Sequence, residues 1–370
     1  MLVLGSVVVR AQDAPCPAAT ALETLERRLQ SQIEGVLANS GVPSVLLHVE
    51  SPSRCLSWSG AAGVFARGST RKLSSSQTFR IASNTKTYTA AAVLRLMEKG
   101  KLRLDEPIAR HLDQQFVQLL ESGGYPADEI TLLDLLTHTS GLFDHGATDG
   151  YFNAIMANPG RRWQRIEQLR FAVTEGHPYG SPGDVFHYSD TGYVLLGGVI
   201  ARHTGKNLGL SLRELLAFDR LGLEETWMES MEPQPASASD RVHQYLGLTD
   251  TFSWDPSMDL YGGGGLVTST GDLAAFVRAL LEGRVLEKNS TLETMRTTQP
   301  VANSMNYRIG LDALDVDGRL GLGHTGFWNT FAYHFPDIDL TVAGSINQVQ
   351  GPRGSRLAEA VVKELLAAGF

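Results

Sequence analysis

β-strand patterns gather at the two ends of this 370-residue chain and are sparse between them. Residues 44–49 and 56–65 read as strands near the start. Near the end, 307–314, 331–335 and 340–347 have β-like content, with 315–317 and 336–339 as turns. Leu22, Leu25, Leu29, Ile33, Val36 and Leu37 recur at helical spacing ahead of the first strand, and 357–368 closes the chain with another helix. Residues 105–303 are mostly helical patterns broken by loops such as Gly123-Gly124-Tyr125-Pro126. One sheet can form only if the two ends meet. The expectation is an α+β fold: an antiparallel sheet flanked by the N- and C-terminal helices, with an inserted all-α domain beside it and a cleft between. The corresponding boundaries are 19–104 and 304–370 for the α/β part and 105–303 for the insertion.

A hydrophobic content of 42% supports a substantial core, and a net charge of −8 without a basic run argues against nucleic acid as a partner. No stretch is long enough to span a membrane. Residues 1–18 read as a possible signal remnant or disordered N-terminus, because the short apolar run before Arg10 lacks a basic lead-in. That favours a periplasmic or secreted protein, with a cytoplasmic one as the alternative. Cys16 and Cys55 are too far apart for a CxxC site, and either a single bridge or none is compatible with them. The glycine run 262–265 lacks the Lys-Ser/Thr sequel of a phosphate loop, so a turn or close-approach role is expected.

Chemistry enters at Phe79-Arg80-Ile81-Ala82-Ser83-Asn84-Thr85-Lys86. A serine three residues ahead of a lysine, where a helix begins, lies on the same face one turn away. Serine needs such a neighbour, being a poor nucleophile by itself. The spacing also occurs at Ser69 and Lys72, but there it sits among Arg67 and Arg71 without apolar periodicity, as in a solvated turn. Ser83 is followed by Tyr88, Ala91, Ala92, Leu94, Leu96 and Met97, an amphipathic run ending at Gly100, a C-cap. The plainer reading of Ser83 is an N-cap.

Two further triplets bear on that choice. Tyr188-Ser189-Asp190 follows Pro182-Gly183 and precedes a helix, where a tyrosine can shuttle a proton if a neighbouring ammonium lowers its pKa towards neutrality; Tyr151-Phe152-Asn153 is its rival. His324-Thr325-Gly326 precedes the strand-like sequence 327–333, where a backbone N–H could face a carbonyl oxygen and small Gly326 could admit substrate. Its rival, His203-Thr204-Gly205, ends a helical run and is explained by a glycine cap.

In this order the three elements, with Leu135-Leu136-Thr137-His138-Thr139-Ser140-Gly141-Leu142 and the segment 264–269, resemble the penicillin-recognising serine hydrolases: class C β-lactamases, D-alanyl-D-alanine carboxypeptidases and related esterases. The resemblance implies a covalent acyl-enzyme on Ser83, with Lys86 and Tyr188 as the proton-transfer pair. It further implies substrate contacts at Asp190, His324, Thr325 and Gly326, and an oxyanion hole from the Ser83 and Phe327 N–H groups. A small-molecule or peptide substrate is expected, with neither metal nor other cofactor; subunit number stays open. Asp190 stands where the family usually has asparagine, and His324 where class C enzymes have lysine. Both changes lower positive potential, which points to a D-amino acid peptidase, carboxypeptidase or esterase, with a class C-like β-lactamase or an inactive scaffold as alternatives. An α/β-hydrolase is disfavoured because no G-x-S-x-G occurs, and a zinc hydrolase because no H-E-x-x-H does.

Overall fold

The computed structural model describes residues 16–297, 301, 304 and 306–369. Most of the expected signal remnant, residues 1–15, lies outside that set. The sheet comprises β1 Ser44–Ser51, β2 Leu56–Gly63, β3 Asp312–Val316, β4 Arg319–Gly326, β5 Thr330–Phe335 and β6 Leu340–Ser345. Its order is β2-β1-β6-β5-β4-β3, antiparallel throughout. The two chain ends meet at the β1–β6 seam, where Leu46 opposes Ser345 and Val49 opposes Val342.

Strand periodicity of two distributes β1 between two cores. Val45, Leu47 and Val49 face helices α1, Ala19–Ser40, and α5, Gly354–Ala367, which bury Leu25, Leu29, Ile33, Val361 and Leu365 against them. Leu46 joins the opposite core, with α2, Thr85–Glu98, and α4, Thr270–Leu281. The polar residues on that face are satisfied: Arg278 of α4 donates from Nε to Glu50 Oε1 at 2.6 Å. Because α4 arises within 105–303 yet packs on β1, β5 and β6, the insertion shares a core with the sheet. A second sheet joins Phe79–Arg80, Leu266–Thr268 and Trp227–Met228, strands too short for periodicity to reveal.

Helix α2 differs from its amphipathic expectation, since every residue from Thr85 to Leu96 is buried. It lies between the sheet and the helical region, including α3, Asp190–Thr204. Its threonines fit there by donating to distant carbonyls: Thr87 to Gly310 and Thr89 to Gly262, both at 2.8 Å. The stop is the expected one, with Gly100 at φ +66° and its N–H on Met97 O.

Strand β4 went unread because Gly321, Gly323 and Gly326 dilute its pattern. They are needed for close approach: a Cβ on Gly323 would stand 1.8 Å from Ala332 O, and one on Gly321 2.5 Å from the Phe335 ring. The expected strand 307–314 is displaced, beginning only at Asp312. Cys16 and Cys55 form a disulfide that ties the segment before α1 to the β1–β2 connection.

Candidate active site

Ser83 lies in a single 3₁₀ turn, Ala82–Asn84, that leads directly into α2. Ala82 takes φ +46°, a left-handed backbone that a non-glycine residue adopts at a cost. The turn is clamped from β5 and from within: Thr330 Oγ1 donates to Ile81 O at 2.8 Å, and Asn84 Nδ2 donates to Thr330 Oγ1 at 3.0 Å. The α2 N-cap is Asn84, so Ser83 is free of the capping role that was its plainer reading.

Lys86, one helical turn on, is fully buried. Its ammonium donates to Ser83 Oγ and to Gly263 O, both at 2.9 Å, and forms an ion pair with Asp190 Oδ1 at 2.5 Å. Burial opposes the charge, but Asp190 and Tyr188 outweigh it and hold the Lys86 pKa above its usual range. Asp190 shows the converse. Burial works against its carboxylate, yet Lys86 and His145 keep its pKa below the ordinary value. Asp190 is also the first residue of α3, where the helix dipole favours a negative charge.

The acceptor carbonyl at Gly263 gives the glycine run its role. Gly262, at φ +122°, comes so near α3 that a Cβ would stand 2.5 Å from Tyr193 O. The run therefore passes close to α3 and aims a carbonyl at Lys86, the close-approach function expected of it.

Tyr188 ends the loop before α3 and interacts through its hydroxyl with both Ser83 and Lys86. The lysine nitrogen lies 5.0 Å from the ring centre. Burial raises the phenol pKa above its usual value and outweighs the opposing pull of Lys86, so the lowering expected from the sequence is corrected.

His324, Thr325 and Gly326 end β4; of the strand-like stretch 327–333, residues 330–333 lie in β5, whereas 327–329 form the turn before it. A Cβ on Gly326 would stand 2.2 Å from Thr330 Oγ1 and 2.3 Å from Ile81 O. Its smallness serves contact between β4 and the turn that carries Ser83, whereas the expectation was room for substrate. His324 Nδ1 donates to Thr325 O at 2.6 Å, and Nε2 accepts from the Tyr307 hydroxyl at 3.0 Å. Both ring nitrogens are thus engaged within the protein. Burial, reinforced by Lys86, pushes the His324 pKa down to about 4, so the ring is neutral near pH 7.

Ser83, Tyr188, Asp190 and the segment 324–327 all line one cavity of about 560 Å³. Asp144, Tyr307 and Asp312 line it as well, and sequence reading missed them. No local pattern marks these three; distant segments deliver them. Asp144 Oδ1 accepts from Gly146 N at 2.9 Å and Asp190 N at 3.3 Å. Burial and the neighbouring Asp190 charge raise its pKa to about 7. Among the described residues the cavity lining contains neither arginine nor lysine.

The rival motifs serve structure. Ser69 Oγ accepts from Arg71 N within its own turn, Tyr151 donates to Met258 O at 2.8 Å, and His203 pairs with His111 at 3.0 Å.

The chain is 32% identical over 188 residues to Esterase EstB of Burkholderia gladioli, covering 47% of this chain and 44% of that one. It is 26% identical over 279 residues to Penicillin-binding protein 4* of Bacillus subtilis, covering 70% and 57%. The matches thus span roughly half the length of these curated relatives. A solved D-stereospecific amidohydrolase from Streptomyces sp. superposes with a TM-score of 0.78 at 26% identity, over 93% of this chain and 98% of that one. The Beta-lactamase family model matches residues 30–367, and the chain belongs to the Beta-lactamase family.

Proposed function

We propose that this protein is a serine hydrolase that opens amide or ester bonds through an acyl-enzyme on Ser83. The observation that carries the reading is the buried Lys86 ammonium, which donates to Ser83 Oγ beside a substrate-sized cavity. Bonded to Ser83 Oγ and Gly263 O and paired with Asp190, Lys86 holds the serine oxygen and supplies positive charge. Tyr188 relays the proton. As the Ser83 oxygen bonds to the carbonyl carbon, Tyr188 takes the serine proton and passes its own to the departing amine or alcohol. Water reverses the relay and releases the acid. The N–H groups of Ser83 and Phe327 supply the oxyanion hole; losing one such donor typically costs about 10²–10³ in rate.

The substrate side is neutral to acidic. Asp144, Asp190 and Asp312 line the cavity, and His324 is uncharged near pH 7. This favours acyl groups with a neutral or cationic substituent over anionic β-lactams, as in a D-amino acid peptidase, amidase or esterase. The names of the relatives, an esterase and a D-stereospecific amidohydrolase among them, support that range. The Cys16–Cys55 disulfide supports export to an oxidising compartment, periplasmic or extracellular.

Intact-mass spectrometry after incubation with a penicillin, a phosphonate and a small activated ester tests the reading. An adduct mapped to Ser83 is expected, formed faster with the ester than with the penicillin. No adduct from any of the three, or one at Ser69, overturns it.

A further inference from the structure

We propose that His138 is the positioning residue that holds the Tyr188 phenol over Ser83 and Lys86. The inference rests on the hydrolase reading above and assigns one of its supporting parts.

His138 follows the short helix Leu132–Leu136 and grips the Tyr188 loop at three points. Its carbonyl accepts from His187 N at 2.8 Å, its Nδ1 accepts from Ser189 N at 3.1 Å, and its ring lies 4.2 Å from the Tyr188 ring at 34°. The residues on both sides of the tyrosine are thus bonded to one residue, which also packs on the tyrosine itself. Tyr193, Tyr307 and Phe186 box the imidazole at 5.0, 4.8 and 5.9 Å.

This arrangement has a structural cost. His138 takes φ +57°, where a non-glycine backbone is strained. Because Nδ1 accepts, the neutral ring carries its proton on Nε2, and that atom is buried without a hydrogen-bond partner among the described residues. A buried orphan donor destabilises a fold, and where one persists it calls for an explanation. Packing alone does not require it, since an apolar side chain would fill the box without the orphan. What an apolar side chain cannot do is accept from Ser189 N. Burial, with Lys86 and His324 nearby, keeps the ring neutral and so keeps Nδ1 an acceptor.

Precision at Tyr188 matters because misplacing a reacting group by about 1 Å can cost about 10²-fold in rate. His138→Ala is expected to lower kcat on p-nitrophenyl acetate by about 30- to 300-fold with KM changed less than about threefold. His138→Asn keeps an acceptor and tolerates a positive φ, and is expected to recover at least about fivefold over the alanine variant. A second readout needs no turnover: 3-fluorotyrosine placed at position 188, observed by ¹⁹F NMR. The parent should give one narrow line, His138→Ala a broadened or split one, and His138→Asn a single line again. An unchanged line in His138→Ala, or a kcat within twofold of the parent, overturns the proposal. If the parent itself is inert towards the ester, the hydrolase reading is what fails, and the ¹⁹F line still decides the positioning. Should His138→Ala not fold, His138→Phe takes its place under the same criteria.

Discussion

Lys86 Nζ lies 2.5 Å from Asp190 Oδ1, a fully buried ammonium against the first carboxylate of α3. The pair lowers the net positive charge next to Ser83. Asp190→Asn removes that compensation, and one unit of charge at this range is worth at least about 1.4 kcal/mol, or about tenfold. Acylation by benzylpenicillin should therefore rise about tenfold or more, measured by stopped-flow, while a neutral ester changes less. Unchanged penicillin acylation would mean that Asp190 only pairs with Lys86 and does not set selectivity.

The hydroxyl of Tyr188 has no substitute in the proposed relay. Tyr188→Phe should lower kcat by about 10²–10⁴ while Tm stays within a few degrees, since the ring and its packing remain. Lys86→Arg should not rescue Lys86→Met, because a planar guanidinium cannot reproduce three donors from one compact nitrogen. Ester hydrolysis with purified variants, alongside thermal melts, checks both.

Gly326 lets β4 meet the turn that carries Ser83. In Gly326→Ala the new Cβ would fall 2.2 Å from Thr330 Oγ1 and 2.3 Å from Ile81 O, so strand or turn must shift. A displacement of the Phe327 N–H relative to Ser83 follows. The expected result is a loss of about 10²-fold in kcat/KM, comparable to removing one oxyanion donor, and its absence would show that the strand end relaxes freely.

Asp144 makes stability depend on pH with a definite sign. Its pKa is about 7 in the folded protein against an ordinary 3.8, so the folded state holds the proton more tightly than the unfolded chain. Stability from this group is complete below about pH 4, falls as pH rises towards 7, and is then lost. Asp144→Asn keeps the Oδ1 acceptor without the buried charge. It should raise unfolding free energy by about 1–3 kcal/mol at pH 8 and leave it unchanged at pH 4, as read by urea melts.

The Cys16–Cys55 bridge closes a loop with a sequence separation of 39. Replacing both cysteines by alanine should cost about 2–4 kcal/mol through the freed unfolded chain. Differential scanning calorimetry of the oxidised parent and the double variant measures it. Activity at a temperature where both are folded should stay within about twofold, because neither cysteine lines the Ser83 cavity.

Local pattern carried a good part of this protein. The spacing of Leu25, Leu29 and Ile33 set out α1, the cap at Gly100 ended α2, and strand patterns at both ends required the seam that β1 and β6 make. Ser83 and Lys86 were readable for the same reason, since one helical turn is a relation between neighbours in sequence. The surroundings of the repeated motifs also separated Ser83, Tyr188 and His324 from their rivals. Tertiary structure decided what depends on distant partners. Strand β4 was hidden by glycines whose purpose appears only where Ala332, Phe335 and Ile81 approach them. The neutrality of His324 depends on burial and on the nearness of Lys86, and the acidity of the cavity on Asp144 and Asp312, none of which a local pattern announces. Periodicity and capping act over one or two turns of chain, whereas burial and charge pairing are set by whichever segments the fold brings together.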